Sequence, residues 1–536
     1  MKPKHSSYTK NILLPCLFYS AITGVCTGIL IFLFKAAASF VIARSELLYD
    51  FVRGNPVRIP LLLLGMTAVG ILSAVLLHFI PDARGGGIPT AIAILRGLIP
   101  FHWIKSIVFV FLSAMLTYFG GVPLGNEGPS VQMGTAVGRG TVSLFAKKQP
   151  AWDRYIMTGG ACAGFAVATG SPITGILFAV EEAHHRISPM ILMSAALSTL
   201  FGVSTAQMLC ESTGISFAPF HFHTDVVLPL QYLWTAILIG IVTGLAAAGF
   251  TKMYQKIRQF LQKTLQKIPS GVKIAAIFFF SAYMGIASAS CIGSGHHLID
   301  ELMDVGQAVS VLVIVGVVRA LLLLFATNAS ITGGLFIPTL TLGAILGALT
   351  GKAMIILGVL PEEYYPVMVI AGVAAFLSAS SRIPLIALVF SAEGLGGITN
   401  IVPIAVAVIV SFLVIEALGI AAFTDTVVES KSHIAHHGQT PYLAEAELTV
   451  VPGAFACGKE VRDLFLPPTC VILYVQREED TQMPAATITE GDILHLHFKT
   501  YDPDSTMEQL ERLFGRQEGA AYSKITFWKE NMIVPH

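Results

Sequence analysis

The sequence predicts an all-α polytopic membrane protein with a small soluble domain at its C-terminal end. Three observations carry that prediction. Hydrophobic residues make up 54% of the 536 and charged residues 12%, against about a quarter charged in an ordinary soluble protein, and the mean hydropathy is +0.72. Apolar stretches able to cross a bilayer, or half of it, recur from Asn11 to Phe423. Beyond that point the composition turns into that of a soluble domain.

Taken in order, Lys2, Lys4 and Lys10 precede an apolar run that is too long for a secretory signal and lacks a small-residue cleavage site. It is expected to be a first membrane helix with its N-terminus in the cytoplasm, because Lys and Arg prefer the inner side. Further spans include "IPLLLLGMTAVGILSAVLLHFI" (59–80) and "AVSVLVIVGVVRALLLLFA" (308–326). Several are short or cut by Gly and Pro, as in secondary transporters. The membrane domain is expected over 1–428 and a linker over 429–442, where "ESKSHIAHHGQTP" is rich in Ser and His. The remainder, 443–536, holds strand-like runs such as "TCVILYVQ" and "DILHLHF" between turn signals.

A net charge of zero gives no sign of a nucleic-acid partner. The seven cysteines are scattered without a CxxC, so neither a disulfide framework nor a zinc site is suggested, and no cofactor is called for. They read as small packing residues. No GxSxG or HExxH motif supports an enzyme.

The membrane domain repeats itself. "GNEGPSVQMGTAVG" (125–138) falls on "GLFIPTLTLGAILG" (334–347), with Gly125 on Gly334, Pro129 on Pro338, Gly134 on Gly343 and Gly138 on Gly347. "AGFAVATGSPITGILFAVE" (163–181) falls on "AFLSASSRIPLIALVFSAE" (375–393), with Pro172 on Pro384, Phe178 on Phe390 and Glu181 on Glu393. In repeated transporters the substrate site forms where broken helices from the two halves meet in mid-membrane. Each member of the first pair has Gly, three residues, then Pro opening a helical run, which leaves free amides at a helix N-terminus. Such an end carries about half a positive charge and attracts anions. Glu127 therefore reads as a tethered stand-in for a transported anion. Displaced by an arriving anion into an apolar vestibule, it takes up a proton, because desolvation favours the neutral form. Anion and proton compete for one place.

At this point the motifs carry a resemblance. "GGGIP" (85–89), "GNEGP" (125–129) and "GLFIP" (334–338) resemble the three selectivity signatures of the CLC chloride channel and transporter family, GSGIP, G(K/R)EGP and GxFxP, in order and spacing over about residues 11–430. The resemblance implies the CLC fold with two inverted-topology repeats, a homodimer with one pore per subunit, and residence in the inner or plasma membrane. It makes Glu127 the gating, proton-exchanging glutamate. It also makes the backbone at Gly86, Gly87, Asn126, Gly128, Leu335 and Phe336 the anion-binding amides. "ILFAVEEAHHR" (176–186) resembles the stretch that holds an inner proton-transfer glutamate, which falls on Glu182. The repeat points the same way: Glu181 is matched by Glu393 and reads as architectural, whereas Glu182 falls on Gly394 and has no counterpart.

Three positions depart from the family pattern. Gly86 stands for the central serine, Asn126 for the basic residue before the gating glutamate, and Thr424 in "AAFTDTVVES" for the pore tyrosine. The function implied is a proton-coupled anion antiporter, chloride being the default anion. The alternatives are a passive anion channel of the same fold and a fluoride/proton antiporter. A cation-coupled transporter would want carboxylates from both halves, yet Phe336 stands where the second would be. Glu127 as a plain helix cap, Glu182 as a helix-end charge, Thr424 as ordinary packing and Gly86 as a tight turn are the competing structural readings. His184, His185, His296, His297, His433, His436 and His437 read as polar-edge residues rather than a metal site. The tail resembles the TrkA-C or RCK-C regulatory domain over about 445–515, through "GKEVRDLFLPPTCVILYVQREED" and "MPAATITEGDILHLHF". That implies a small cytoplasmic α+β domain of helix, strand and hairpin that takes a small ligand or ion.

Overall fold

Polar backbone cannot face lipid, so a chain this apolar must satisfy its amides inside helices, and the computed structural model shows how it does so. It describes residues 12–79, 83–85, 87–146, 150–217, 220, 226–436, 439–477, 480–482, 487–516 and 525–529. Gly86, His437 and the lysines at 2, 4 and 10 lie outside the described residues.

Among the described residues the membrane domain is two runs of eight helices in the same order. The first run is α1 (Leu14–Arg53), α2 (Ile59–Phe79), α3 (Ile88–Leu95), α4 (Trp103–Phe119), α5 (Glu127–Phe145), α6 (Asp153–Thr169), α7 (Pro172–Phe178) and α8 (Pro189–Thr213). The second is α9 (Leu233–Lys263), α10 (Ser270–Ala287), α11 (His296–Glu301), α12 (Val309–Asn328), α13 (Phe336–Ile356), α14 (Tyr365–Ser381), α15 (Pro384–Glu393) and α16 (Ile401–Ala417). Among the described residues nine helices are long and apolar enough to cross a bilayer, and the others are shorter, such as α3 and α7, or less apolar, as α5 is. Their outer faces carry exposed apolar side chains, Leu61, Leu64, Ile314 and Leu413 among them, as a lipid-facing surface requires.

The repeat runs further than the two sequence patterns that first betray it. Gly85 and Gly87 before α3 have φ of 58° and 142°, and Gly293 and Gly295 before α11 have φ of 69° and 107°. Both loops thus use backbone that side chains with a Cβ rarely adopt. Helices approach on glycine in both halves: a Cβ at Gly134 or Gly160 would collide with the other's carbonyl, and Gly372 stands against Gly343 and Gly347. Small residues at such crossings let helices associate by close contact where lipid offers no hydrophobic drive.

The halves also cap one another. Glu393, closing α15, accepts from Ile173 N at 2.8 Å, Thr174 N at 2.9 Å and Thr174 Oγ1 at 2.8 Å, all in the first turn of α7. Glu181, just past α7, accepts from Leu385 N at 2.8 Å and Ile386 N at 2.6 Å in the first turn of α15. The matched glutamates are architectural. Each satisfies amides that the proline-led helix of the other half leaves without a partner.

After α16 comes α17 (Phe423–Ala435), which runs on inside the segment expected as a linker. The tail is a five-stranded antiparallel sheet in the order β3-β2-β4-β1-β5. Its strands are β1 (Tyr442–Thr449), β2 (Val471–Arg477), β3 (Asp480–Gln482), β4 (Ile493–Thr500) and β5 (Ile525–Lys529), with α18 (Pro503–Phe514) over the core of Leu494, Leu496, Phe498, Leu510 and Phe514. Asp492 is buried at the mouth of β4 and takes a paired bond from Arg477 at 2.6 and 2.7 Å. Burial pushes its carboxyl up, but the bonds from Arg477 and Thr489 outweigh that and hold it below the ordinary carboxylate value. The helix expected in "GKEVRDLFLPP" is a single 3-10 turn, Val461–Asp463. Pro467 and Pro468 disfavour a continuing helix, and the carbonyls of Asp463 to Leu466 are bonded to the membrane domain instead.

Replacing Glu393 or Glu181 by Ala removes two or three hydrogen bonds from the starts of α7 or α15. Each substitution is expected to destabilise the membrane domain by about 1–2 kcal/mol, read as a lower thermal midpoint in detergent. Gln in place of Glu is expected to recover part of that loss.

Candidate functional site

Three glycine loops meet at one point. Gly125 N donates to Gly334 O at 2.8 Å and Gly334 N donates to Gly125 O at 2.7 Å, an isolated antiparallel bridge that joins the two halves by their own matched residues. A Cβ on Gly128 would lie 2.6 Å from Gly87 Cα and 2.7 Å from Gly334 Cα, so the third loop closes on the same spot. The residues that open α5 and α13 have nearly the same backbone: Asn126 at φ −95°, ψ −14° and Leu335 at φ −98°, ψ −14°. Two helix N-termini, one from each half, are thereby aimed at one place, where their partial positive charges add.

Glu127 occupies it. The residue is fully buried in the first turn of α5, and neither carboxylate oxygen has a hydrogen-bond partner among the described residues. The amides of Glu127 and Ile337 act on it without reaching hydrogen-bond geometry. A Cβ on Gly125 would overlap Glu127 Oε2, so a larger residue there would push the Glu127 side chain aside. A carboxylate near mid-membrane costs about 2.5–3.5 kcal/mol on insertion scales, a cost that the helix N-terminus offsets only in part. The Asn126 side-chain oxygen is likewise buried without a partner among the described residues.

Two donors named from the sequence are placed differently from what the resemblance implies. The Gly87 amide donates to Gln132 Oε1 at 3.1 Å, a side chain one turn into α5 whose Nε2 reaches Ser106 Oγ at 3.3 Å. Gly87 thus ties α3 to α5, and its amide is not free to meet an anion. Thr424, opening α17, sets its hydroxyl 3.3 Å from Ser381 Oγ and 3.5 Å from Glu182 Oε1. It reaches the second carboxylate of interest.

Glu182 lies in a π-helical turn, Ala179–Ala183, that follows α7; such turns recur at functional positions. Its side chain is buried, with Oε2 unpartnered among the described residues. Arg96, at the end of α3, braces the turn: Nη2 donates to Glu182 O at 3.1 Å, Nε to Ala183 O at 2.9 Å and Nη1 to Asp425 Oδ1 at 3.2 Å. The adjacent histidines diverge, His184 Nε2 lying 2.8 Å from Thr158 Oγ1 and His185 Nε2 3.7 Å from Asp425.

A cavity of about 520 Å³ opens beside the glycine loops, touching Gly85, Gly333 and Leu335. Arg258, Lys273 and Lys431 line it and, among the described residues, no Asp or Glu does, a charge pattern that concentrates anions. Lys431 Nζ donates to Arg84 O at 2.8 Å. Behind Glu127 a further cation, Lys35 of α1, donates to Val167 O at 3.2 Å and Phe217 O at 2.9 Å, and its charge acts on Glu127. It supplies the positive charge that Asn126 lacks. An ionisable residue inside an apolar span is itself a functional signal, and Lys35 was visible in the sequence on that ground.

The tail is seated against the Glu182 region. Phe465 lies 4.6 Å from the Tyr155 ring and 4.7 Å from the His184 ring, with Arg154 and Arg186 over its face at 5.0 and 4.7 Å. Arg154 Nη1 donates to Leu466 O at 2.7 Å, Arg186 Nη1 to Leu464 O at 3.1 Å and Ser188 Oγ to Asp463 Oδ1 at 2.7 Å, while Tyr155 Oη donates to Asp463 O.

Two matched runs of helices around a mid-membrane glycine site define a multi-pass membrane protein of the CLC fold. The model of the voltage gated chloride channel family matches residues 65–416, and the chain belongs to that family. Among curated relatives, the H(+)/Cl(-) exchange transporter ClcA of Vibrio vulnificus is 29% identical over 384 residues, 69% of this chain and 79% of the relative. ClcA of Salmonella paratyphi A is 26% identical over 420 residues, 76% of this chain and 86% of the relative. The fold matches a slow cyanobacterial Cl-/H+ antiporter at a TM-score of 0.71 with 24% identity, over 78% of this chain and 98% of that one. A CLC-type fluoride/proton antiporter matches at 0.62 with 18% identity, over 75% and 95%.

Gly128→Ala is expected to wedge the three loops apart, since the new methyl would meet backbone rather than a movable side chain. The expected results are a destabilisation of about 1–3 kcal/mol and loss of most anion flux in reconstituted vesicles.

Proposed function

We propose that this protein is a proton-coupled anion antiporter, with chloride as its default anion, in which Glu127 is the exchanging gate and Glu182 the inner proton-transfer residue. One observation carries the reading: two buried carboxylates, each with an oxygen lacking any donor among the described residues, stand at the glycine junction and beside the tail. A buried carboxylate in that condition is stable mainly when protonated. The names of the relatives, H(+)/Cl(-) exchange transporters, agree with it.

In this mechanism an anion collected by the basic cavity reaches the two helix N-termini and displaces the Glu127 carboxylate, which leaves carrying a proton. The backbone at Gly86, Asn126, Gly128, Leu335 and Phe336 supplies the donors for the anion, Gly87 being engaged with Gln132. Glu182 exchanges protons with the tail side, and Thr424 holds its side chain. The termini and the tail are cytoplasmic, the tail being a TrkA-C-like regulatory domain that binds a small ligand or ion. The subunit pairs as a homodimer through the apolar faces around the cross-capped α7 and α15, where Ile173 and Leu385 are exposed.

The deciding experiment uses full-length protein in chloride-loaded liposomes, with external pH followed as a chloride gradient is imposed. Glu127→Gln is expected to abolish gradient-driven proton movement, and Glu182→Gln to do the same while sparing chloride flux. Uphill proton pumping that survives in either variant removes that residue from the mechanism. Chloride flux without proton movement in the wild type would instead establish a channel.

Phe465→Ala removes the ring clasped beside the Glu182 turn. It is expected to change the exchange rate severalfold without altering the ratio of anions to protons, measured in the same vesicles.

A further inference from the structure

The loop before α11 is the two-fold counterpart of the loop before α3: Gly293-Ser294-Gly295-His296 stands where Gly85 to Ile88 stands in the first half. In the first half the last of these positions holds an apolar residue. In the second it holds a histidine, and its side chain faces the gate. His296 Nε2 lies 3.8 Å from Glu127 Oε1. Both atoms are buried, and neither has a hydrogen-bond partner among the described residues. The other ring nitrogen, Nδ1, lies 2.8 Å from Ser294 Oγ. A histidine placed only for packing would not leave a buried ring nitrogen unsatisfied opposite an equally unsatisfied carboxylate.

The position relative to the membrane follows from α8. Its start is fastened to the tail through Ser188 and Asp463, and its 25 residues rise about 37 Å. The chain beyond Thr213 therefore lies on the face opposite the tail. Phe220, in that stretch, rests on the His296 ring at 5.2 Å between centroids. The His296 side chain is 21% exposed although its Nε2 is sealed, so part of the ring is open while Nε2 meets Glu127.

We propose that His296 is the proton-transfer residue between Glu127 and the solution on the face opposite the tail. This rests on the reading of Glu127 as the exchanging glutamate. Nδ1 keeps its hydrogen on Ser294 Oγ throughout. In the imidazolium form the Nε2–H bond breaks as an Oε1–H bond forms on Glu127, and the ring is left neutral. When the protonated carboxyl swings away, water enters its place and returns a proton to Nε2; the reverse sequence discharges Glu127. The 3.8 Å gap is too short for an intervening water and closes with a small rotation of the carboxylate. The charged and titratable groups around the ring are Glu127 from α5, Lys35 from α1, Arg319 from α12, and His297 beside it; Asp300 follows one turn on in α11. Arg319 is occupied, donating to Ser290 O at 2.9 Å, Ile292 O at 3.0 Å and Gly293 O at 2.8 Å, and so holds the loop in place.

The test uses full-length protein in liposomes, with chloride and proton fluxes measured while the pH on the face opposite the tail is varied from about 5 to 8, a range spanning the ordinary histidine transition. His296→Gln keeps a polar atom near Nε2 without a titrating ring, and His296→Phe keeps the ring against Phe220. Both are expected to lower chloride-driven proton flux by on the order of ten- to a hundredfold and to flatten its dependence on that pH. In a Glu127→Gln background, neither is expected to change chloride flux further. Wild-type proton flux and pH profile in both variants would overturn the proposal, as would an equal loss of chloride flux with and without Glu127, which marks a structural role. A wild type that exchanges chloride for no protons at all would overturn the antiporter reading itself, and is told apart because it appears before any substitution is made.

Discussion

Two backbone hydrogen bonds between Gly125 and Gly334 set the geometry on which the rest of the membrane domain depends. They run between matched residues of the two halves, so they fix the two-fold relation at its centre and bring the starts of α5 and α13 to one point. Without them each helix end would present its own weak partial charge to a different place. With them the ends reinforce one another, and a carboxylate or an anion can be accommodated where lipid would reject either. The requirement for glycine follows from this closeness. Gly128 faces the backbone of both other loops, and Gly125 leaves room for the Glu127 side chain.

Much of this was legible beforehand because glycine and proline carry backbone instructions directly. The spans, the repeat, and the placing of Glu127 at a helix start all follow from apolar length and from Gly and Pro at fixed spacing. The architectural part of Glu181 and Glu393 followed from their being a matched pair. Side-chain partners were less visible. Nothing in "GGGIP" shows that the Gly87 amide is answered by Gln132, nor does the short side chain of Thr424 announce contact with Glu182, because such meetings depend on how separate helices are turned. His296 reads as a polar-edge residue for another reason. Its loop matches "GGGIP" in glycine placement but differs in every neighbour, so the likeness shows only once the positive φ angles are seen side by side.

The tail holds the membrane domain largely through its backbone carbonyls. Arg154 and Arg186 come from the membrane domain and donate to carbonyls of an extended segment, which is why that segment cannot continue as a helix. The same two arginines cover Phe465, whose other side meets His184, two residues from Glu182. The tail is thus in contact with the turn that holds Glu182, and Arg96 joins that turn to α3.

The reciprocal caps at α7 and α15 have a consequence for how the chain is made. The ribosome delivers the first half before Glu393 exists, so during synthesis the start of α7 has no partner for its amides, and the first half must wait in the bilayer unfinished. A single half could meet the need by lending its glutamate to a second copy of itself lying upside down beside it. The exchange of caps is thus the contact through which two separate, oppositely inserted ancestors could have held together before their genes were joined.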